Sequence, residues 1–117
     1  MKAELVAFGE LEIEGVRYHR DVVIDGGRIQ KRDKGPSKAL PHKGRHTPLT
    51  AAEEIPWGGR RLIVGTGAHG QLPIAKDLRQ EAERRGIAIE SLPTGEACEL
   101  LADIEPADVY AILHVTC

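Results

Sequence analysis

Apolar residues near the start of the chain come in short runs separated by polar or glycine positions. Glu4-Leu5-Val6-Ala7-Phe8, Leu11-Glu12-Ile13 and Val16 to Tyr18 are strand-like, with a turn at Glu14-Gly15 between the last two. The β-branched run Val22-Val23-Ile24 lies in a further strand over Asp21–Asp25. Asp25-Gly26-Gly27-Arg28 then reads as a tight hairpin turn, because glycine accepts the positive φ such turns require. Arg28-Ile29-Gln30 is the partner strand, with Ile29 its inward residue.

From Lys31 to Thr47 no apolar period is visible, and Gly35, Pro36, Pro41 and Gly44 interrupt the chain. Long stretches of this kind inside a compact domain are functional or mobile. Thr50-Ala51-Ala52-Glu53 matches a capping box and predicts a short helix, closed off by Pro56 and Gly58-Gly59. Beyond it, strands and helices alternate. Leu62-Ile63-Val64 reads as a buried strand. A helix is expected from Leu72 or Pro73, with Ile74, Leu78 and Ala82 on one face and Gly86 as its stop. Ile87-Ala88-Ile89 is the next strand. Thr94 is placed as the cap of a helix that turns Ala97, Leu100, Leu101 and Ile104 inward and ends before Pro106. Val109 to Val115 is nearly all apolar, as in a central strand covered on both faces. This βαβαβ unit predicts a parallel sheet with right-handed crossovers. The expected fold is therefore α/β: a compact three-layer domain with a mixed central sheet and added N-terminal antiparallel strands.

Composition adds limits. The chain has 117 residues, 41% hydrophobic and 29% charged, which suits one globular domain over 1–117. The longest apolar run, Val109 to Leu113, is far short of the ~20 residues that span a bilayer. The apolar stretch near Met1 is too short for a secretory signal. The cysteines are Cys98 and Cys117 alone, so neither a disulfide framework nor a cysteine-rich zinc site is expected, and the expected location is cytoplasmic. The formal net charge is -2, but the charges are unevenly spread. Arg28, Lys31, Arg32, Lys34, Lys38, Lys43 and Arg45 face only Asp33 in their stretch, whereas no Lys or Arg follows Arg85. The basic stretch is either a solvated loop or a surface for a protein partner. Nucleic acid is disfavoured, because aromatics make up only 3% and no nucleic-acid motif is present.

Candidate chemistry concentrates in one loop. Gly65-Thr66-Gly67-Ala68-His69-Gly70 follows a strand and matches G-x-G-x-x-G, with Glu90 placed as a ribose-binding acid would be. Pro73 argues against a dinucleotide site, because it puts the helix start beyond the third glycine. A weaker reading keeps the location. If the three strands are parallel, their carboxyl ends gather Gly65, Thr66, Gly67, His69 and Gly70 with Thr94, His114 and Thr116 at one edge, where open α/β sheets bind ligands. A small anionic or polar ligand, or a partner's carboxylate, is the expected guest. Alternation along the last strand puts His114 on the face of Thr116, with Cys117 opposite. His114 itself reads more readily as a hydrogen-bonded core histidine than as a base. Cys98 reads as a core residue rather than a nucleophile. Neither Ser37 nor Ser91 sits in a nucleophile elbow, His42 and His46 lack a helix to pair them, and no cofactor or metal is expected.

Several segments together carry a resemblance. Thr47-Pro48-Leu49 precedes Glu53-Glu54; Leu62 to Gly67 precedes Gly70-Gln71-Leu72; Pro93-Thr94 precedes Glu96-Ala97; and the chain closes on His114-Val115-Thr116-Cys117. In order and spacing these resemble the small α/β domain family of unknown function first defined on a methanogen protein, the MTH-type domain. That family includes a human adipogenesis-associated protein and, distantly, NADH dehydrogenase complex I assembly factor three. The resemblance implies a compact three-layer fold and brings no established catalytic activity. For function it implies little, since only the distant mitochondrial relative acts as an assembly factor through protein contacts; the first expectation for this chain is a soluble, non-enzymatic binding or assembly-type domain acting through protein or small-ligand contacts. The competing expectation is a small anion- or nucleotide-binding protein or enzyme that uses the Gly65–Gly70 loop.

Overall fold

The computed structural model describes residues 1–41, 44 and 46–117. Three short strands, β1 (Ala3–Ala7), β2 (Glu10–Ile13) and β3 (Val16–Tyr18), form an antiparallel meander. Glu14 and Gly15 both take positive φ (47° and 82°) at its second turn. The hairpin of β4 (Val22–Asp25) and β5 (Arg28–Lys31) turns on Gly26 and Gly27, with φ of 61° and 86°, the paired left-handed geometry of a two-residue hairpin. Farther along lie α1 (Gly35–Lys38), β6 (Arg61–Thr66), α2 (Lys76–Arg85), β7 (Ala88–Leu92), α3 (Thr94–Leu101) and β8 (Tyr110–His114).

The larger sheet has the order β5-β4-β8-β6-β7. β6 is parallel to both β7 and β8, and β4 joins the other edge of β8 antiparallel, so the sheet is mixed and β8 is its centre. Alternation sorts its residues between two cores. Val22, Ile24, Ile63, Ala111, Leu113 and Val115 pack beneath the small sheet and α3, with Leu11, Ile13, Ala97 and Leu101. Val23, Leu62, Val64 and Ile112 pack on the opposite face, with Leu49, Leu72 and Leu78. These are the three layers expected from the pattern. Trp57 is half-buried against the second core, with the Arg85 guanidinium 4.9 Å from its ring centre.

Local expectations fail in four places. No helix opens at Thr50: residues 51–53 form a turn, and the Glu53 side chain runs inward instead of back to a helix start. α2 begins at Lys76, because Ile74 is held in a β-bridge to Leu49 and Pro73 and Ala75 are tied to the same residue. A one-turn helix, α1, forms inside the patternless stretch, with Pro36 in its first turn. Thr94 lies inside α3 rather than capping it, since its hydroxyl is engaged elsewhere, and α3 stops at Leu101, well before Pro106. Gly86 ends α2 as expected, in the left-handed conformation, with Ile87 N–H closing onto Ala82 O.

Candidate functional site

The register of the large sheet brings a polar row to the carboxyl end of β6 and β8. Val22 stands opposite Lys31 on β5 and opposite Leu113 on β8. One step outward along each antiparallel pair, Asp21 therefore falls between Arg32 and His114, and Thr66 pairs with His114 from β6. The Arg32 N–H donates to Asp21 O at 3.1 Å, which continues the ladder into the row.

The side chains of this row form a continuous network. One edge of the Arg32 guanidinium donates to Glu53 twice, Nε to Oε1 at 2.8 Å and Nη2 to Oε2 at 2.9 Å. Its Nη1 donates to Asp21 Oδ2 at 2.9 Å. The same oxygen meets His114 Nδ1 at 2.8 Å, and Asp21 Oδ1 accepts the Val115 N–H at 3.0 Å. Ser37 Oγ, carried in by α1, donates to Glu53 Oε2 and lies 2.8 Å from Thr50 Oγ1. At the far end, Thr116 Oγ1 is 3.3 Å from His114 Nε2, on the shared face that strand alternation predicts. Arg32, Glu53 and His114 are 4%, 6% and 7% exposed, so these polar groups are paired away from water. Burial alone would raise the Asp21 carboxyl. The His114 hydrogen bond and charge, the Val115 N–H and Arg32 outweigh it and hold Asp21 below its ordinary value. Asp21 is thus a carboxylate, and the His114 ring nitrogen facing it carries the proton.

The glycine loop borders this row on the other side and is tied to Thr116 and Cys117. Thr94 Oγ1 donates to His114 O at 2.6 Å and accepts from Gly67 N–H at 2.8 Å. Thr94 N–H donates to Gly67 O at 3.0 Å. Ala68 N–H donates to Thr116 O, and the N–H groups of His69 and Gln71 both donate to Cys117 O. Gly67 has φ of 108°, and a Cβ there would sit 2.3 Å from the Cys117 carbonyl carbon. A Cβ on Gly65 would meet Thr94 Oγ1 at 2.8 Å, so glycine lets α3 approach the strand. These contacts join Gly65, Thr66, Gly67, Thr94, His114 and Thr116 at one edge, with the loop's amides turned onto the chain's own carbonyls. His69 is exposed, with its ring 6.1 Å from that of the exposed Phe8, and Gly70 is exposed beside Pro93. Glu90 pairs with Arg61 at 2.6 Å rather than standing open.

The basic stretch divides. Arg32 is a buried structural cation, which corrects its placement on a partner surface: two carboxylates draw it into the fold. Arg28 is exposed and lies 3.8 Å from Asp25. Lys31, Lys34 and Lys38 are exposed and have no carboxylate partner among the described residues. Lys43 and Arg45, like His42, lie outside the described residues. A cavity of about 260 Å³ is lined by Arg32, Lys34, Lys38, His46, His114 and Thr116, together with Thr47 and Leu72. Among the described residues no group of three His, Cys, Asp or Glu side chains is placed to hold a metal.

A profile described as "Protein of unknown function (DUF498/DUF598)" matches residues 4–114. The chain belongs to this DUF498/DUF598 family. It is similar to the conserved hypothetical protein PH1505 from Pyrococcus horikoshii OT3, at 29% identity over 100% of both chains, with a TM-score of 0.72. It also shares its fold with the protein MT938, at 24% identity over 95% of this chain and 94% of that one, with a TM-score of 0.65. No curated protein matches. Family membership thus bears out the expected likeness to small α/β proteins of unknown function.

Asp21, Ser37, Thr50 and Glu53 were absent from the expected site. One signal for Asp21 was present in the sequence. A two-residue turn at Gly26-Gly27 pairs Asp25 with Arg28, and counting outward pairs Asp21 with Arg32. Glu53 had no such signal, since its role depends on a fold-back from beyond α1.

Proposed function

We propose that this domain is a non-enzymatic binding or assembly-type module that docks an acidic surface of a partner protein onto the lysines around α1. The observation that supports this reading is the arrangement of Lys31, Lys34 and Lys38, exposed and without carboxylate partners among the described residues, beside Leu40, which is 41% exposed. The buried Arg32–Glu53 fork and the Ser37 hydroxyl fix the base of this surface, so the lysines stand on a rigid support and not on a floppy loop. An ordered cationic face with an apolar residue at its side steers and then holds an acidic partner. No helix among the described residues is long and apolar enough to cross a membrane.

The test is affinity co-purification from the native host with Lys34→Glu/Lys38→Glu against the unmodified chain. A reproducible protein partner, lost in the double variant while its circular dichroism is unchanged, is the expected result. A partner retained by the double variant, or none at all, would overturn the reading. Arg32 is unsuited to this test, because reversing a buried charge would unfold the support.

A further inference from the structure

The cavity beside His114 has a neighbour of the same size. A second cavity of about 260 Å³ is lined by His19, Arg20, Asp21, Lys31 and Val115. Arg32, Lys34 and Thr116 line both, so the two share a wall. Each compartment has its own cation: Lys38 in the first, Arg20 and Lys31 in the second, with Lys34 between them. These four side chains are exposed and have no carboxylate partner among the described residues. Among those residues Asp21 is the only carboxylate in either lining, and both its oxygens are taken: Oδ2 by Arg32 and His114, Oδ1 by the Val115 N–H.

The shared wall also holds donors in surplus. A guanidinium carries five N–H groups. Arg32 uses the one on Nε and one each on Nη1 and Nη2. The second N–H on each terminal nitrogen meets no acceptor among the described residues, although the side chain is only 1% exposed. Buried donors are nearly always paired, and an oxyanion at the wall would accept from these two. An anion with one charged group fills one compartment. An anion with two can place one in each and straddle Lys34.

From this geometry we infer that the paired cavities bind one small anion with two oxyanion groups, one held by Arg20 and Lys31 and the other by Lys38, with Lys34 and the spare Arg32 N–H groups between them. Every charge invoked belongs to a lysine or an arginine, so the site does not depend on the protonation of a histidine. The inference goes beyond the partner reading: Lys31, Lys34 and Lys38 serve both, Leu40 serves only the partner, and Arg20 serves only the small anion.

Condensed phosphates and dicarboxylates share this chemistry, and isothermal titration at low salt separates them. It is run at pH 8, above the ordinary imidazole pKa of about 6.5. Pyrophosphate is compared with inorganic phosphate, and succinate with acetate. In at least one pair the two-headed anion is expected to bind one per chain and roughly tenfold or more tightly than the one-headed, the worth of an added charge-assisted hydrogen bond. The pair that shows the gain names the source. Arg20→Ala and Lys38→Ala should each abolish the gain, and Lys34→Ala should weaken every probe. Arg60→Ala removes an exposed cation at the amino end of β6, away from the cavities, and should change nothing. No gain in either pair, a gain that survives both Arg20→Ala and Lys38→Ala, or an equal loss in Arg60→Ala would each overturn the inference. Partner capture by a chain that binds none of these anions would overturn this inference alone, whereas the tenfold gain in a chain that captures no partner would overturn the partner reading alone.

Discussion

Replacing Glu53 by alanine should cost this fold a large part of its stability. Glu53 accepts two charge-assisted hydrogen bonds from Arg32, at 2.8 and 2.9 Å, and one from Ser37. A hydrogen bond to a charged group contributes about 1.5–3 kcal/mol, so the two from Arg32 alone come to about 3–6 kcal/mol. Breaking a buried pair by removing one partner costs about 3–5 kcal/mol, because the remaining charge is left in a dry site. Both side chains are almost wholly inaccessible, at 1% and 2%, so solvent screening does not reduce this figure. Asp21 still holds one edge of Arg32, which favours the lower end, about 3 kcal/mol. Small domains are stable by only about 5–15 kcal/mol, so Glu53→Ala should shift the urea midpoint strongly at unchanged slope. Equilibrium unfolding followed by circular dichroism and Trp57 fluorescence measures it. The double variant Arg32→Met/Glu53→Met should recover much of the loss, since it leaves no orphan charge. A cost below about 1 kcal/mol for Glu53→Ala, the level of a surface pair, would refute the buried network.

Acid stability should follow Asp21. Its folded-state carboxyl lies below its ordinary value, so the stability it contributes is present above the unfolded pKa of about 3.9 and is lost as pH falls through the lower folded value. Unfolding free energy should therefore drop on acidification below about pH 4, and Asp21→Asn should be less stable at neutral pH with a flatter acid limb; an unchanged acid limb would contradict this. The thiols should differ sharply. Burial, then the nearby Glu4 and Glu99 charges, push the Cys98 thiol up to about 11, so a thiol reagent at mildly alkaline pH should titrate Cys117 in the native protein and both cysteines only after denaturation.

Legibility in the sequence tracked the range of the interaction. The three layers, the central place of β8 and the Gly26-Gly27 hairpin rest on local alternation and turn chemistry, and those were readable. The edge where β6 and β8 end was also placed correctly, because parallel strands joined by helices put their carboxyl ends together. What escaped was set by long-range charge pairing. Thr50 and Glu53 fit a capping box, but Arg32 competed for the carboxylate and won, so the predicted helix became a turn. Arg32 counted as one basic residue among seven until the register beside Asp21 took it into the interior. The β4–β5 hairpin thereby supplies two members of the polar row, and a reading centred on the glycine loop had no reason to look there.

The open chemistry of this edge lies on the His114 and α1 side, while the glycine loop is closed upon the carbonyls of Thr116 and Cys117. An amide chemical-shift map recorded during titration with inorganic phosphate, as a small anion, tests it most directly. The account predicts saturable shifts at Lys34, Lys38, Val115 and Thr116, with Gly65, Gly67 and Gly95 still. Shifts confined to the Gly65–Gly70 loop and the start of α3 would contradict it.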